Sequence, residues 1–145
     1  MTQTTRPGTI RSILVIDDDV QFGMGIKTLL QKHRFLVQAT NGGGPGLRIL
    51  AQEPVDLVIT DIFMEDTDGL EAIIAIRERH PGIRIIGVSG GSRGVRIDCL
   101  GMALGLGADR ILRKPLWIET LLSSIRELED ESLTEVRELN ALNGP

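Results

Sequence analysis

Four places in this chain carry side chains that could do chemistry together. They are the consecutive acids Asp17-Asp18-Asp19, the single acid Asp61, the hydroxyl of Ser89 and the ammonium of Lys114. The first three follow short, mostly apolar stretches, Ile13-Leu14-Val15-Ile16, Val58-Ile59-Thr60 and Ile83 to Val88, and Lys114 follows Ala108 to Arg113, which holds a short fifth strand. Runs of that kind read as buried strands. A carboxylate at the end of a buried strand stands at the rim of a core, where desolvation and neighbours tune it. If Asp17, Asp18 and Asp61 converge, each like-charge pair at about 5 Å and an effective dielectric near 20 costs roughly 3 kcal/mol. Such a pocket needs a counter-charge. Mg2+, hard and oxygen-seeking, suits it. Lys114 adds a mobile positive charge, and Ser89 adds a hydroxyl donor. A carboxylate beside a metal, a cation and a hydroxyl is equipment for phosphoryl transfer to an aspartate.

The elements between these places must bring them together. After the first strand, Phe22, Ile26, Leu29 and Leu30 recur at helical spacing, giving a helix to about His33. Gly23 and Gly25 weaken that helix by roughly 1 kcal/mol each relative to alanine. Phe35 to Ala39 reads as a second strand. Asn41 to Gly44 reads as a turn, with Pro45 at the first position of a second helix that runs towards Glu53-Pro54. Leu57 to Thr60 is the third strand. Asp66-Thr67-Asp68 offers caps for a third helix, which His80-Pro81-Gly82 stops. A fourth helix is expected from about Val95 to Leu106, and a fifth from Trp117 to about Asp130. Five strand-helix alternations imply a parallel sheet covered on both faces. In such sheets ligands bind beyond the carboxyl ends of the strands. The acids, the serine and the lysine all stand at those ends.

Composition narrows the classes. The chain has 145 residues, of which 41% are apolar, enough for one domain with a real core. Tyrosine is absent, so the core is aliphatic. The net charge of −4 is too mild to suggest a nucleic-acid surface, and no direct DNA binding is expected. Cys99 is the lone cysteine, so no disulfide forms within the chain and a cytoplasmic setting is expected. It reads as a small buried hydrophobe. No apolar run reaches membrane-spanning length. Residues 1–10 read as a flexible tail and residues 131–145 as an extension.

In residues 11–130 the sequence resembles the receiver domain of two-component response regulators. The matching pieces are Leu14-Val15-Ile16-Asp17-Asp18, Asp61-Ile62-Phe63-Met64 with Gly69 downstream, Val88-Ser89-Gly90, and Lys114-Pro115 after Gly107-Ala108-Asp109. Any one piece is weak, whereas all four in order are specific. The resemblance implies a flavodoxin-like α/β fold, doubly wound as (βα)5, with a five-stranded parallel sheet of order 2-1-3-4-5. It implies Asp61 as phosphoacceptor, charged by a histidine kinase or a histidine phosphotransfer protein. Asp18 and Asp61 would ligate Mg2+, with the Phe63 backbone carbonyl as a third ligand and Asp17 acting through water. Ser89 and Lys114 would bind phosphoryl oxygens. Lys114-Pro115 would be a cis peptide, aiming the lysine. A stand-alone regulator acting on a downstream protein target is the expected role.

Two positions depart from the family pattern. Glu65 stands where proline is usual, and Ile111 occupies the switch position that often carries an aromatic ring. The bulky Phe63 could shield an acyl phosphate from water. Plainer readings exist as well. Asp19 reads as a helix cap. Asn41 to Gly46 lacks the lysine of a phosphate-binding loop. His33 and His80 fall at helix ends. Asp17-Asp18-Asp19 formally satisfies the Asp-x-Asp pattern of haloacid-dehalogenase-type phosphatases, but Gln21 stands where their threonine is expected. A receiver fold used as a phosphorylation-independent interaction module is the other alternative. Ser132-Leu133-Thr134-Glu135 has the form of a capping box. The extension is therefore either a short extra helix or a continuation of the fifth, with Leu133, Val136 and Leu139 available for a homodimer or partner contact.

Overall fold

The computed structural model describes residues 8–64, 69–90 and 97–143. The expected cap at Asp66-Thr67-Asp68, Glu65, the expected helix start at Val95 and the side chain of Cys99 lie outside what it describes. Five strands alternate with five helices: β1 Ser12–Ile16, α1 Val20–Lys32, β2 Leu36–Thr40, α2 Gly43–Gln52, β3 Leu57–Asp61, α3 Gly69–Arg79, β4 Arg84–Ser89, α4 Ile97–Leu106, β5 Arg110–Arg113 and α5 Ile118–Asn143. All strand pairings are parallel, and the sheet order is β2-β1-β3-β4-β5. The doubly wound topology expected from the sequence is the one observed.

Strand alternation sorts the aliphatic side chains onto two faces. Ile13, Val15, Ile59, Ile86 and Val88 pack with Ile26 and Leu30 of α1 and Leu121, Ile125 and Leu128 of α5. Leu14, Ile16, Val58 and Ile85 pack with Leu50 of α2, Ile73 and Ile76 of α3 and Ala103 of α4. Every residue of β3 is buried, as befits a central strand with helices on both sides.

Two local readings need correction. Pro45 is not the first residue of α2 but the third, because the helix begins at Gly43. The first-turn N–H groups have no helical partner, so proline costs nothing there either. One glycine in this stretch reflects packing: a Cβ on Gly46 would lie 2.6 Å from Ile16 Cδ1. The fifth helix does not stop near Asp130 but runs without a break to Asn143, so the extension continues it and is not a separate short helix. The capping-box residues are engaged otherwise. Thr134 Oγ1 donates to the Asp130 carbonyl at 3.0 Å, and the Ser132 hydroxyl accepts from Arg84 Nε at 3.0 Å. Neither hydroxyl caps a new helix, so the backbone continues.

No described helix is long and apolar enough to cross a membrane.

Candidate functional site: an acidic pocket at the carboxyl edge of the sheet

Register alone brings the acids together. Ile16 pairs with Thr60, so the next residues, Asp17 and Asp61, leave the sheet side by side. Asp61 pairs with Val88, one residue before Ser89, and Ser89 pairs with Arg113, one residue before Lys114. The ladder runs past the strand ends: Asp17 N–H donates to the Thr40 carbonyl at 3.1 Å, Ile62 N–H to Val88 at 3.0 Å, and Lys114 N–H to Ser89 at 2.9 Å. The four strand ends therefore form one rigid rim.

The side chains converge on that rim. Asp17, Asp61 and Ser89 are all buried, at 2%, 5% and 3% exposure, while Asp18 faces solvent. Carboxylate oxygens of Asp17, Asp18 and Asp61 lie within 4.8 Å of one another. Lys114 Nζ donates to Asp17 Oδ2 at 2.8 Å and to Asp61 Oδ2 at 3.2 Å. The other oxygen of Asp61 accepts from the Phe63 N–H at 2.8 Å. Asp17 Oδ1 accepts from the Asp19 N–H at 2.8 Å, and Asp19 caps α1 by accepting from the Phe22 N–H at 3.1 Å. The Lys114-Pro115 peptide is cis. Phe63 is half-exposed beside the acid, and Ile111 lies in β5 with its Cδ1 close against Gly87.

Glycine is required at one position here. A Cβ on Gly69 would sit 2.1 Å from the Asp61 carbonyl oxygen, so only glycine lets α3 start against the end of β3. Gly69 N–H donates to the Ile62 carbonyl at 3.1 Å, tying helix to strand.

Like charges crowd this rim. Burial raises the Asp61 carboxyl above its ordinary value and Asp17 adds to the rise, while the Phe63 N–H and Lys114 oppose it. Burial disfavours the Lys114 ammonium, but its hydrogen bond to Asp17 and the charges of Asp61 and Asp17 more than compensate, so Lys114 is held protonated. Asp17 and Asp61 share the Lys114 ammonium, and a carboxylate oxygen of Asp18 lies within 4.8 Å of theirs. An all-oxygen donor set of three clustered carboxylates fits a hard divalent cation and suits Mg2+.

A doubly wound sheet with this order and this acidic rim defines a CheY-like signalling receiver. Residues 13–126 match the family model of the response regulator receiver domain, and the chain belongs to that family of two-component systems. The chain is 30% identical over 108 residues to the photosynthetic apparatus regulatory protein RegA of Cereibacter sphaeroides, covering 74% of this chain and 57% of that protein. It is 30% identical over 137 residues to the transcriptional regulatory protein CpxR of Escherichia coli, covering 93% and 56%. It thus spans little more than half the length of these relatives. Among solved structures it is similar to a receiver domain protein of Methanospirillum hungatei, at TM-score 0.80 and 28% identity, covering 88% of this chain and 99% of that one. A receiver domain from Clostridium thermocellum is similar at TM-score 0.77 and 29% identity, covering 84% and 96%. Family membership removes the phosphatase alternative suggested by Asp17-Asp18-Asp19.

The sequence brought every one of these polar residues to the correct rim. It missed Phe22, which periodicity assigns to the core stripe of α1. Its ring also lies against Lys114, with Nζ 4.0 Å from the ring centroid.

Proposed function

We propose that Asp61 accepts a phosphoryl group and that the domain signals through the surface this changes. The observation that carries the reading is the meeting of Asp61 with Asp17, Asp18 and Lys114 at one buried rim. The donor is a phosphohistidine on a histidine kinase or a histidine phosphotransfer protein. An Asp61 carboxylate oxygen forms a bond to phosphorus as the bond to the donor nitrogen breaks. That nitrogen keeps the electron pair, and with the proton carried on the other ring nitrogen it leaves as neutral imidazole. No redox change occurs. Hydrolysis later returns the carboxylate and releases phosphate.

Each residue has a part. The Phe63 N–H holds one Asp61 oxygen and leaves the other, Oδ2, towards Lys114 as the attacking atom. Lys114 stays charged and can follow a phosphoryl oxygen without leaving the rim. Ser89 supplies a hydroxyl donor from the end of β4. Asp18, Asp61 and the Phe63 carbonyl would hold Mg2+, with Asp17 acting through water. When bound, the ion neutralises charge on the transferring group. The chain thereby promotes its own phosphorylation and dephosphorylation and turns over no separate substrate.

Readout passes to a downstream protein, with the phosphorylated state stabilising one of two surface conformations. Ile111 has no ring to turn, so movement of Ser89 carries the change. The cytoplasm is the proposed setting. Incubating the protein with Mg2+ and acetyl phosphate and measuring intact mass tests the reading. An adduct of about 80 Da, one phosphoryl group, is expected in the wild type and absent in Asp61→Asn. A wild-type chain that never takes the adduct would instead be a phosphorylation-independent interaction module.

A further inference from the structure

The Lys114 ammonium has two kinds of neighbour. On one side are the Asp17 and Asp61 carboxylates, at 2.8 and 3.2 Å. On the other is the ring of Phe22, whose centroid is 4.0 Å from Nζ. Phe22 stands in the first turn of α1, and a closed circuit fixes it there. Asp17 accepts from the Asp19 N–H, Asp19 accepts from the Phe22 N–H, and Asp17 accepts from Lys114. The ring face closes the loop between Phe22 and Lys114. The Lys114 side chain is only 18% exposed, so water screens this contact weakly. An ammonium over an aromatic face is attracted by the ring quadrupole, more strongly where water is excluded.

The two sides behave differently during phosphoryl transfer. Forming the acyl phosphate converts the Asp61 carboxylate into an anhydride, which removes its charge as a partner for Nζ. The Phe22 face is unchanged by the chemistry. It can hold the ammonium at the rim while Nζ exchanges a carboxylate oxygen for a phosphoryl oxygen.

We propose that Phe22 is a positioning residue for phosphoryl transfer at Asp61, holding the Lys114 ammonium through its ring face. The inference rests on Asp61 being the phosphoacceptor. It differs from a packing role, which Phe22 also has against the core that contains Ile26 and Leu30. A packing role needs apolar volume, whereas this one needs a π face.

The test measures the rate of adduct formation with acetyl phosphate and Mg2+ on the full chain. Phe22→Leu keeps apolar volume and removes the ring, whereas Phe22→Tyr keeps the ring. From the usual strength of a shielded cation–π contact, Phe22→Leu should slow the rate at saturating donor by about fivefold. Phe22→Tyr should restore most of it. In a Lys114→Gln background, Phe22→Leu should add no further slowing, because the ring then has no cation to hold. Equal slowing in both backgrounds would make the ring a packing element and overturn the inference, as would a wild-type rate in Phe22→Leu. Should Phe22→Leu fold poorly, ring-fluorinated phenylalanines placed at position 22 keep the shape and weaken the quadrupole. The rate should fall with each added fluorine, and a flat series rejects the proposal. A wild type that takes no adduct rejects the phosphoacceptor reading and this inference with it. A wild type that does, with Phe22→Leu equally fast, rejects this inference alone.

Discussion

Aspartates crowd both edges of the sheet, and the two edges use them in opposite ways. At the amino edge each acid is paired off. Asp109 Oδ2 accepts from Ile85 N–H at 2.7 Å and from Arg77 at 3.1 Å, and its Oδ1 accepts from Arg84 at 3.2 Å. Asp56 accepts from the Arg11 and Ser12 N–H groups at 2.9 and 3.0 Å. Arg77 also donates to the carbonyls of Gly107, Pro81 and Ile83, joining α3 to the loops before β4 and β5. Arg84 reaches on to Ser132 and Glu135 of α5. At the carboxyl edge the carboxylates of Asp17, Asp18 and Asp61 cluster within 4.8 Å, and Lys114 bridges two of them. The first arrangement holds loops in place. The second stores repulsion that an added cation relieves. A charge cluster is a functional candidate when like charges crowd one another, not merely when acids are numerous.

Substitution can break this contrast. The largest effect expected is on chemistry: Asp61→Asn should abolish the phosphoryl adduct in the mass assay, while Asp109→Ala should leave the folded protein able to form it. Stability should move the opposite way. Asp109→Ala leaves the Ile85 N–H without its acceptor and removes the carboxylate from Arg77 and Arg84, and a loss of about 2 kcal/mol is expected in urea unfolding. If Asp109→Ala proves neutral, the amino edge is not the staple described here.

Asp61→Asn should instead stabilise the protein at neutral pH. The sign follows from its raised carboxyl. The folded chain binds that proton more tightly than the unfolded chain does. Asp61 therefore costs stability as pH climbs from 3.8 through the raised value. The advantage of Asp61→Asn should vanish below that window. A stability difference that does not change with pH would show that charge is not its cause. Mg2+ should raise the midpoint of wild-type unfolding more than that of Asp61→Asn, since only the former keeps all three acids.

Smaller effects remain on the carboxyl side. A Cβ at Gly23 would meet nothing within 4 Å, so Gly23→Ala should stabilise α1 by about 0.5–1 kcal/mol. Phe63→Asn should alter the lifetime of the acyl phosphate without changing stability measurably, as read by loss of the adduct after donor removal. An unchanged lifetime would remove Phe63 as a shield.

Much of this was legible in the residues. The strand-helix alternation predicts the parallel sheet because parallel strands need crossovers. The acids at 17, 18 and 61, Ser89 and Lys114 sit at strand ends, so sheet topology alone places them at one rim. Other features were not legible. Ser132-Leu133-Thr134-Glu135 reads as a helix start, yet Ser132 is taken by Arg84, far away in sequence. Thr134 bonds back to Asp130 instead of capping. Pro45 reads as a first helical residue, but the proximity of Gly46 to Ile16 belongs to α2 packing on β1.

The sequence by itself determined which groups could meet. Apolar period and the placement of Asp, Ser and Lys are local properties, and the topology they select is nearly unique. Only the tertiary structure decided how the groups share charge. That depends on distances of a few ångströms and on burial, neither of which is encoded locally. Phe22 is the clearest instance: a core residue by its spacing, and a neighbour of the Lys114 ammonium only once α1 is docked on the sheet.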